Sequence, residues 1–280
     1  MHPRIKDLKE ITLLEAFKLA RLDLTKLIYL PSGGSGLYYE EFDISPKDFL
    51  RYAKIAFQTK TESSLIDAIT NAKRAIDCQI DTVFNSMYVN HANLPKSLEQ
   101  FVKCFKYDGD LWYKLKVMQA LNLAPSILVS YARGLRHSLE HNYEIPEEKH
   151  VRQAIEIAEL FIRSINGVLR ASYTEFEITD KKNLIEDDNS NERYVQGLEI
   201  SVGGGTLAVN GSILIRVLKM ENNEHTSIAK VTLSPDNPLY FAIFRLLNSE
   251  DDSYELTESM RIIAKLMEHP IPQEQINVNM

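Results

Sequence analysis

One stretch, Gly134-Leu-Arg-His-Ser-Leu-Glu-His-Asn-Tyr143, brings two imidazoles, a guanidinium and a carboxylate together within ten residues. Proline fits the first turn of a helix, so Pro125 marks a start, and Pro146 indicates an end near Tyr143. Between these limits the apolar side chains recur at spacings of three and four residues: Ile127, Leu128, Tyr131, Leu135 and Leu139. This spacing predicts an amphipathic helix that packs its apolar stripe against a core.

The opposite face of this predicted helix is polar. At about 100° per residue, Arg136 and His141 fall on the two flanks of that face, with His137 and Glu140 between them. Most clusters of this kind are solvated surface, and spacing alone favours that interpretation. The functional interpretation is that these four side chains belong to a site.

The pattern R-x4-H-x-Y, formed by Arg136, His141 and Tyr143, resembles the signature of HEPN domains. These are small helical domains, and many of them are metal-independent ribonucleases or toxins. The flanks match too, since residues 146–162 look like the family's last helix and residues 65–76 look like its first long helix.

The resemblance covers residues 60–172, with one departure. The residue after the family's arginine is commonly asparagine, and here it is His137. Other polar residues occur at this position in the family. The departure therefore bears on activity more than on fold.

The resemblance implies an endoribonuclease that needs neither metal nor another cofactor, acting as a toxin or an anti-phage defence effector. HEPN enzymes cleave RNA by attack of the ribose 2′-OH on the adjacent phosphate. His141 would be the general base or acid, Arg136 would stabilise the charge on the phosphorane, and His137 or Glu140 would orient them. One helix places its Arg and His about 140° apart, which makes a poor single site. HEPN domains overcome this by dimerising, so we expect a homodimer with a composite Arg/His site.

Tyr143 suggests a regulatory modification. In toxins that resemble this family, a partner nucleotidyltransferase antitoxin transfers adenylate to the tyrosine of the motif and silences the nuclease. The alternative is that Tyr143 only covers the C-terminal end of its helix.

Two other functions fit the same stretch. His137, Glu140 and His141 match the H-x-x-E-H pattern of zinc peptidases, with Glu156 or Glu159 as a third metal ligand. The non-enzymatic alternative is an inactive HEPN module that binds RNA, nucleotide or a protein partner.

Composition indicates an ordinary water-soluble protein. The 280 residues are 44% hydrophobic, no run approaches the roughly 18 apolar residues of a membrane span, and the N-terminus lacks a secretory signal. We therefore expect a cytoplasmic protein without a membrane partner. Cys78 and Cys104 are too few for a disulfide framework or a thiolate zinc site, which predicts two small core residues.

The net charge of −7 is unevenly distributed. Residues 1–172 hold 23 Lys/Arg and 21 Asp/Glu, whereas residues 173–280 hold 9 and 18. A polyanion should therefore prefer the N-terminal part. Lys73 and Arg74 lie away from the apolar face of their predicted helix, and we expect them either to be solvated or to bind RNA phosphates.

Upstream of the motif, the apolar spacing predicts further helices. They span residues 5–30, 47–57, 61–87, 97–105 and 111–121. The Gly-rich residues 31–36 lack the Gly-Lys-Ser/Thr of a phosphate-binding loop, so we interpret them as a connection.

Downstream the period changes to that of a sheet. Strands are predicted at residues 198–202, 206–209, 212–218 and 227–233, followed by helices at 238–247 and 256–267. The predicted fold class is a mainly α N-terminal helical bundle, HEPN-like, followed by a small α+β domain with an antiparallel sheet. Its predicted domains are a helical domain at 1–172, including an N-terminal helical extension at 1–58, a linker at 173–194 and the α+β domain at 195–280.

Overall fold

The computed structural model describes residues 5–34, 36–37, 42–107, 111–124, 128, 131, 145–171, 173–185, 193–202, 211–249 and 252–280. Together these residues have an α+β fold. None of the helices in these ranges is both long and apolar enough to cross a membrane.

The described helices and strands are as follows. The helices are α1 Leu13–Leu19, α2 Pro46–Thr59, α3 Glu62–Ser86, α4 Lys96–Val102, α5 Tyr113–Ala120, α6 Glu148–Ala171, α7 Pro238–Leu247 and α8 Ser253–Leu266, with 3-10 turns at Ile5–Asp7 and Gln273–Gln275. The strands are β1 Leu27–Gly33, β2 Glu175–Asp180, β3 Leu184–Ile185, β4 Arg193–Tyr194, β5 Gln196–Val202, β6 Ile213–Glu221, β7 Glu224–Leu233 and β8 Val278–Asn279.

The chain divides into two compact units that are both discontinuous in sequence. The sheet unit contains residues 1–37, 95–104 and 171–280, and the helical unit contains residues 38–94 and 105–170. This division differs from the predicted contiguous domains at 1–172 and 195–280, because the N-terminal residues supply a strand to the sheet.

In the helical unit, α2 and α3 begin where their capping residues predict. The Ser45 hydroxyl and the Asp48 carboxylate cap each other's backbone N–H at the start of α2, with Pro46 in the first turn. Thr61 and Ser64 form the same reciprocal cap at the start of α3. The predicted helices at residues 47–57 and 61–87 are thereby confirmed.

Polar contacts join the helices of this unit. Lys54 of α2 forms an ion pair with Glu159 of α6 at 2.7 Å, and the Gln79 amide of α3 donates to Asn166 of α6 at 3.2 Å. α3 and α6 each bury an apolar stripe along most of their length. These two long helices therefore form the frame of the helical unit.

The sheet unit is built on a mixed six-stranded sheet in the order β7-β6-β5-β2-β1-β8. All neighbouring strands are antiparallel except β8, which pairs in parallel with Leu27 and Ile28 of β1. One face of the sheet is largely apolar, and its central strands bury Phe176, Ile178, Leu198, Ile200, Ile215 and Val217. Every residue of α7 from Leu239 to Leu247 is buried as well.

The predicted helix at residues 5–30 is wrong over most of its length. The structure has only α1 in this region, capped reciprocally by Thr12 and Glu15, and then β1. Leu27–Leu30 continue a helix-like apolar pattern, but their backbone groups pair with β2 and β8, which local periodicity does not reveal.

The predicted linker at residues 173–194 is also wrong in part. Residues Glu175–Asp180 form β2 in the middle of the sheet, between β1 and β5. Its sequence, Glu-Phe-Glu-Ile-Thr-Asp, alternates polar and apolar residues, so one face is buried while the other carries charge. Because of its charged residues, this central strand resembles a polar linker in the sequence.

Most of the other downstream predictions are confirmed. The strands predicted at 198–202, 212–218 and 227–233 correspond to β5, β6 and β7, and the helix predicted at 238–247 is α7. Asn222 and Asn223 both have positive φ in the tight turn between β6 and β7. The strand predicted at residues 206–209 lies outside the described residues.

Candidate functional site

The sequence-predicted catalytic and supporting residues fall in a segment that the structure does not describe. Arg136, His137, Glu140, His141 and Tyr143 all lie outside the described residues. Their roles therefore remain predictions from the sequence.

Lys73 and Arg74, the predicted RNA-binding residues, lie side by side on α3 in different surroundings. Lys73 is half-buried and already interacts with another group, whereas Arg74 is exposed and makes no ion pair within the described part of the chain. Of the two, Arg74 is the cation available to a polyanion.

Glu159, one of the two candidates for a third zinc ligand, is already engaged. Its carboxylate accepts from Lys54 at 2.7 Å and from Arg163 at 2.5 Å. The hydrogen bond from Lys54 is the main cause that holds the pKa of Glu159 below its usual value. Among the described residues, no three His, Cys, Asp or Glu side chains are placed to hold a metal ion.

The two cysteines are free and half-buried. Burial raises the pKa of the Cys78 thiol to about 11, and it raises the pKa of Cys104 too. Because the reactive form is the thiolate, neither cysteine is an activated nucleophile at neutral pH.

The most distinctive polar arrangement in the described residues lies on the second face of the sheet. We call it the polar cluster, and it consists of Glu177 of β2, Tyr194 of β4, Glu199 of β5, Arg216 of β6 and His225 of β7. Glu177 lies directly opposite Glu199, and Glu199 lies directly opposite Arg216. Lys230 of β7 lies opposite Arg216 in turn, so four charged residues form one row across four strands. This row lies on the opposite face from the apolar core.

Arg216 neutralises only one of the two carboxylates in this row. Two nitrogens of its guanidinium, Nε and Nη2, contact the same Glu199 oxygen, and both side chains are about four-fifths buried. A third N–H of Arg216 donates to the Ser227 hydroxyl at 3.2 Å. The Arg216 guanidinium therefore contacts Glu199 and Ser227, and it forms no ion pair with Glu177 among the described contacts.

Tyr194 fills the space beside the second carboxylate. Its ring stacks on His225 with the ring centres 4.3 Å apart, and the Tyr194 carbonyl lies 2.8 Å from His225 Nε2. The ring also covers Gly197. Tyr194 is only 1% exposed, and its hydroxyl interacts with the Glu177 carboxylate.

Glu177 is half-buried in this setting, and burial raises its pKa above the usual value for a glutamate. The neighbouring Glu199 carboxylate acts in the same direction, whereas the Tyr194 hydroxyl, His225 and Arg216 oppose the shift. Burial and the Glu177 carboxylate raise the pKa of Tyr194. The charged form of Glu177 is therefore incompletely compensated by its surroundings.

The linear sequence gives little indication of this cluster. Glu177 and Tyr194 fall in the region interpreted as a linker, and their partners are spread over residues 199–225. The alternation Glu-Phe-Glu-Ile in β2 was the one local pattern that indicates a strand with a polar face.

Glycine at position 197 is required by the Tyr194 ring. A Cβ at this position would lie 2.6 Å from Tyr194 Cε2 and 2.9 Å from the Ile178 carbonyl oxygen. We expect Gly197→Ala to lower the free energy of unfolding by about 1–3 kcal/mol, measured by urea denaturation. The matched control is Gly167→Ala in α6, where a Cβ meets nothing within 4 Å and helix propensity predicts a gain of about 0.5–1 kcal/mol. Equal effects of the two substitutions would contradict the proposed packing.

Glu177→Gln should stabilise the protein at neutral pH by up to about 1 kcal/mol, because it removes a carboxylate that faces Glu199 directly. The folded-state pKa of Glu177 is raised, so its contribution to stability is present below its unfolded-state pKa and disappears as the pH rises through the folded-state pKa. The difference between variant and wild type should therefore be small near pH 4 and grow toward pH 7. Urea denaturation at several pH values measures it.

Glu221→Gln, at the exposed far end of β6, serves as the control and should change the free energy of unfolding by less than about 0.5 kcal/mol. A destabilised Glu177→Gln protein at pH 7 would show that the carboxylate is satisfied where it lies.

Comparisons with known proteins found no relative of this chain. No protein-family model matches the sequence, and searches of curated proteins and of solved structures gave no significant match.

Proposed function

We propose that this protein is a HEPN-type, metal-independent endoribonuclease that acts in the cytoplasm as a toxin or an anti-phage defence effector. The observation that carries the proposal is the R-x4-H-x-Y spacing of Arg136, His141 and Tyr143. The motif lies between two long helices, α3 and α6, of 25 and 24 residues, which belong to one compact unit. This order of elements is the one that the family resemblance implies.

The proposed chemistry needs a proton acceptor near neutral pH and a permanent cation. Imidazole is the side chain whose unperturbed pKa suits the first role, so we assign it to His141. The guanidinium of Arg136 keeps its charge and can donate two N–H groups to phosphate oxygens. His137 and Glu140 are assigned to orientation of this pair.

Charge places a condition on RNA binding. The helical unit holds 15 Lys/Arg and 16 Asp/Glu, so its overall charge does not attract a polyanion. RNA binding must then rely on local cations, of which the exposed Arg74 is one. The same balance favours the alternative that the unit is an inactive HEPN module which binds RNA, nucleotide or a partner protein, as does His137 in place of asparagine.

The zinc-peptidase alternative has less support. It needs a third ligand, and Glu159 is held by Lys54 and Arg163. Glu156 is exposed on α6 and would have to supply the ligand alone.

The direct test is cleavage of RNA by the purified protein in excess EDTA. A HEPN-type reaction should leave products with 2′,3′-cyclic phosphate ends, which mass spectrometry identifies. Cleavage that stops in EDTA and returns with zinc would contradict the proposal, and so would the absence of cleavage over a broad panel of RNAs.

The proposed composite site also requires two copies of the chain. We expect sedimentation velocity at micromolar concentration to show a dimer of the 32.1 kDa chain. A monomer would leave Arg136 and His141 about 140° apart on a single helix and would argue strongly against the nuclease.

Tyr143 is proposed as a site of adenylate transfer by a nucleotidyltransferase antitoxin. Mass spectrometry of protein co-expressed with the product of a neighbouring gene tests this role. An unmodified Tyr143, or the absence of such a neighbouring gene, would remove it.

A further inference from the structure

Residues 272–280, which we call the strap, follow α8 and supply β8, the last strand in the order of the sheet. A single 3-10 turn at Gln273–Gln275 leads into an extended stretch. Ile276 and Val278 are the only buried side chains of the strap, and the other seven are exposed. The strap therefore lies on the sheet unit in the way that an extended peptide does, with two apolar anchors at alternate positions.

The first side of the groove that holds the strap is β1 and the residue stretch before it. The Leu27 N–H donates to the Asn277 carbonyl at 3.0 Å, and the Asn277 N–H donates to the Leu24 carbonyl at 3.1 Å. Val278 and Asn279 then pair in parallel with Leu27 and Ile28. This side of the groove contacts the backbone of the strap.

The second side of the groove is one face of α8. The Thr257 hydroxyl accepts the Val278 N–H at 3.1 Å, and a guanidinium N–H of Arg261, one turn later, donates to the Ile276 carbonyl at 3.4 Å. These contacts again reach only the backbone of the strap. The groove therefore selects an extended segment with apolar residues at two alternate positions, whichever copy of the chain supplies that segment.

The joint between α8 and the strap is unfavourable in its present conformation. Glu268 has a φ of 55°, which is a left-handed conformation that costs free energy in any residue except glycine. Pro270 and Pro272 follow, and each proline restricts the residue before it to extended backbone. The joint is thus both strained and stiff when the strap returns to its own sheet. Short joints under strain favour the exchange of a segment between copies.

The strap is also the part of the sheet that should open most easily. β8 has only two residues, and parallel pairing is slightly less stable per residue than antiparallel pairing. Opening would expose Ile276 and Val278 and would leave the Leu27 N–H without its acceptor. The strap of a second copy restores all of these contacts and leaves the joint free to relax.

We propose that two copies of this chain exchange their straps, so that residues 272–280 of each copy occupy the groove between β1 and α8 of the other. The exchange belongs to the sheet unit. It does not depend on the nuclease activity or on the dimer proposed for the helical unit.

A disulfide between two differently substituted copies tests the exchange in the full-length protein. Ile28 and Asn279 are paired residues of β1 and β8, so Ile28→Cys in one copy and Asn279→Cys in the other can form a disulfide only when the strap lies in the second copy. In an equimolar mixture this mixed disulfide, identified by peptide mapping, should form at least about tenfold faster than one between Asn279→Cys and Glu221→Cys.

The doubly substituted chain, with Ile28→Cys and Asn279→Cys together, is the control for geometry and should form the disulfide readily. No mixed disulfide under conditions in which this control reacts would overturn the proposal. Equal rates with Ile28→Cys and Glu221→Cys would do the same, because they would indicate random collision.

A substitution in the joint tests the cause of the exchange. Glu268→Gly removes the unfavourable conformation of the returning strap and should lower the yield of mixed disulfide by about fivefold or more. Asn223→Gly is the matched control, since Asn223 also has a positive φ but lies in the turn between β6 and β7, and it should leave the yield unchanged. An unchanged yield in Glu268→Gly would contradict the role of the joint.

Discussion

His141→Ala should lower the rate of RNA cleavage by about a hundredfold to ten-thousandfold, the range that a general acid or base contributes. Arg136→Ala should lower it by about a hundredfold to a thousandfold, because the proposed mechanism would lose a preorganised donor to the transition-state charge. Both effects should appear in the single-turnover rate constant at saturating protein, measured with a labelled RNA in EDTA. Binding of RNA should change much less than its cleavage.

His150→Ala is the matched control for this prediction. His150 is an exposed histidine at the start of α6, in the same helical unit. Its replacement should leave the cleavage rate within about twofold of the wild-type rate. Arg163→Ala serves the same purpose for Arg136, since Arg163 is an exposed arginine paired within its own helix. If the His141 and Arg136 variants cleave RNA like the controls, the inactive binding module becomes the better interpretation.

Asp180→Ala should strongly destabilise the sheet unit, with a loss of about 3–5 kcal/mol in the free energy of unfolding. Asp180 is fully buried at the end of β2, and one of its carboxylate oxygens accepts the Asp23 backbone N–H at 2.6 Å. The other accepts the backbone N–H groups of Lys182 and Asn183 and the Asn183 amide, at 2.9–3.1 Å. Alanine would leave these donors without an acceptor in a place where water cannot replace it.

Urea denaturation measures the loss, and Asp252→Ala provides the comparison. Asp252 caps α8 with a single backbone contact to Tyr254, so its removal should cost only about 1 kcal/mol. An unchanged slope of the transition would show that the folded and unfolded states are otherwise the same. If both aspartates cost the same, Asp180 does not join the two segments as described.

Local chemistry in the sequence predicted several elements well. Ser45 with Pro46, and Thr61 at the start of α3, are capping signals that act within one turn, so no distant residue is needed to interpret them. The Asn222-Asn223 turn is equally local, since both residues adopt the positive φ that a tight hairpin requires.

Strands that form by pairing with distant parts of the chain could not be predicted from local signals. β1 is a strand because Leu27–Leu30 pair with residues about 150 positions later in the chain, and its apolar run alone fits a helix equally well. Val278 and Asn279 form β8 only because β1 offers a free edge. A strand of two residues is too short to show the alternation of apolar and polar residues that predicts a strand.

The two candidate sites differ in the same way. The motif at residues 136–143 is contiguous, so a family resemblance could be noticed, and its geometry lies outside the described residues. The polar cluster is assembled from five strands, and Glu177 meets Glu199 only through sheet pairing. This juxtaposition of two carboxylates is a property of the folded sheet and has no counterpart in the linear sequence.

The discontinuity of the sheet unit sets an order for folding during synthesis. β1 leaves the ribosome early, yet both of its neighbours, β2 and β8, are made after the whole helical unit. The helical unit can become compact while β1 is still unpaired. The pairing of β1 with β8 can form only when residue 279 has emerged. A nascent chain that is stalled when residue 171 has just left the ribosome exit tunnel should therefore resist protease across residues 46–86 while Leu27–Gly33 is still cut.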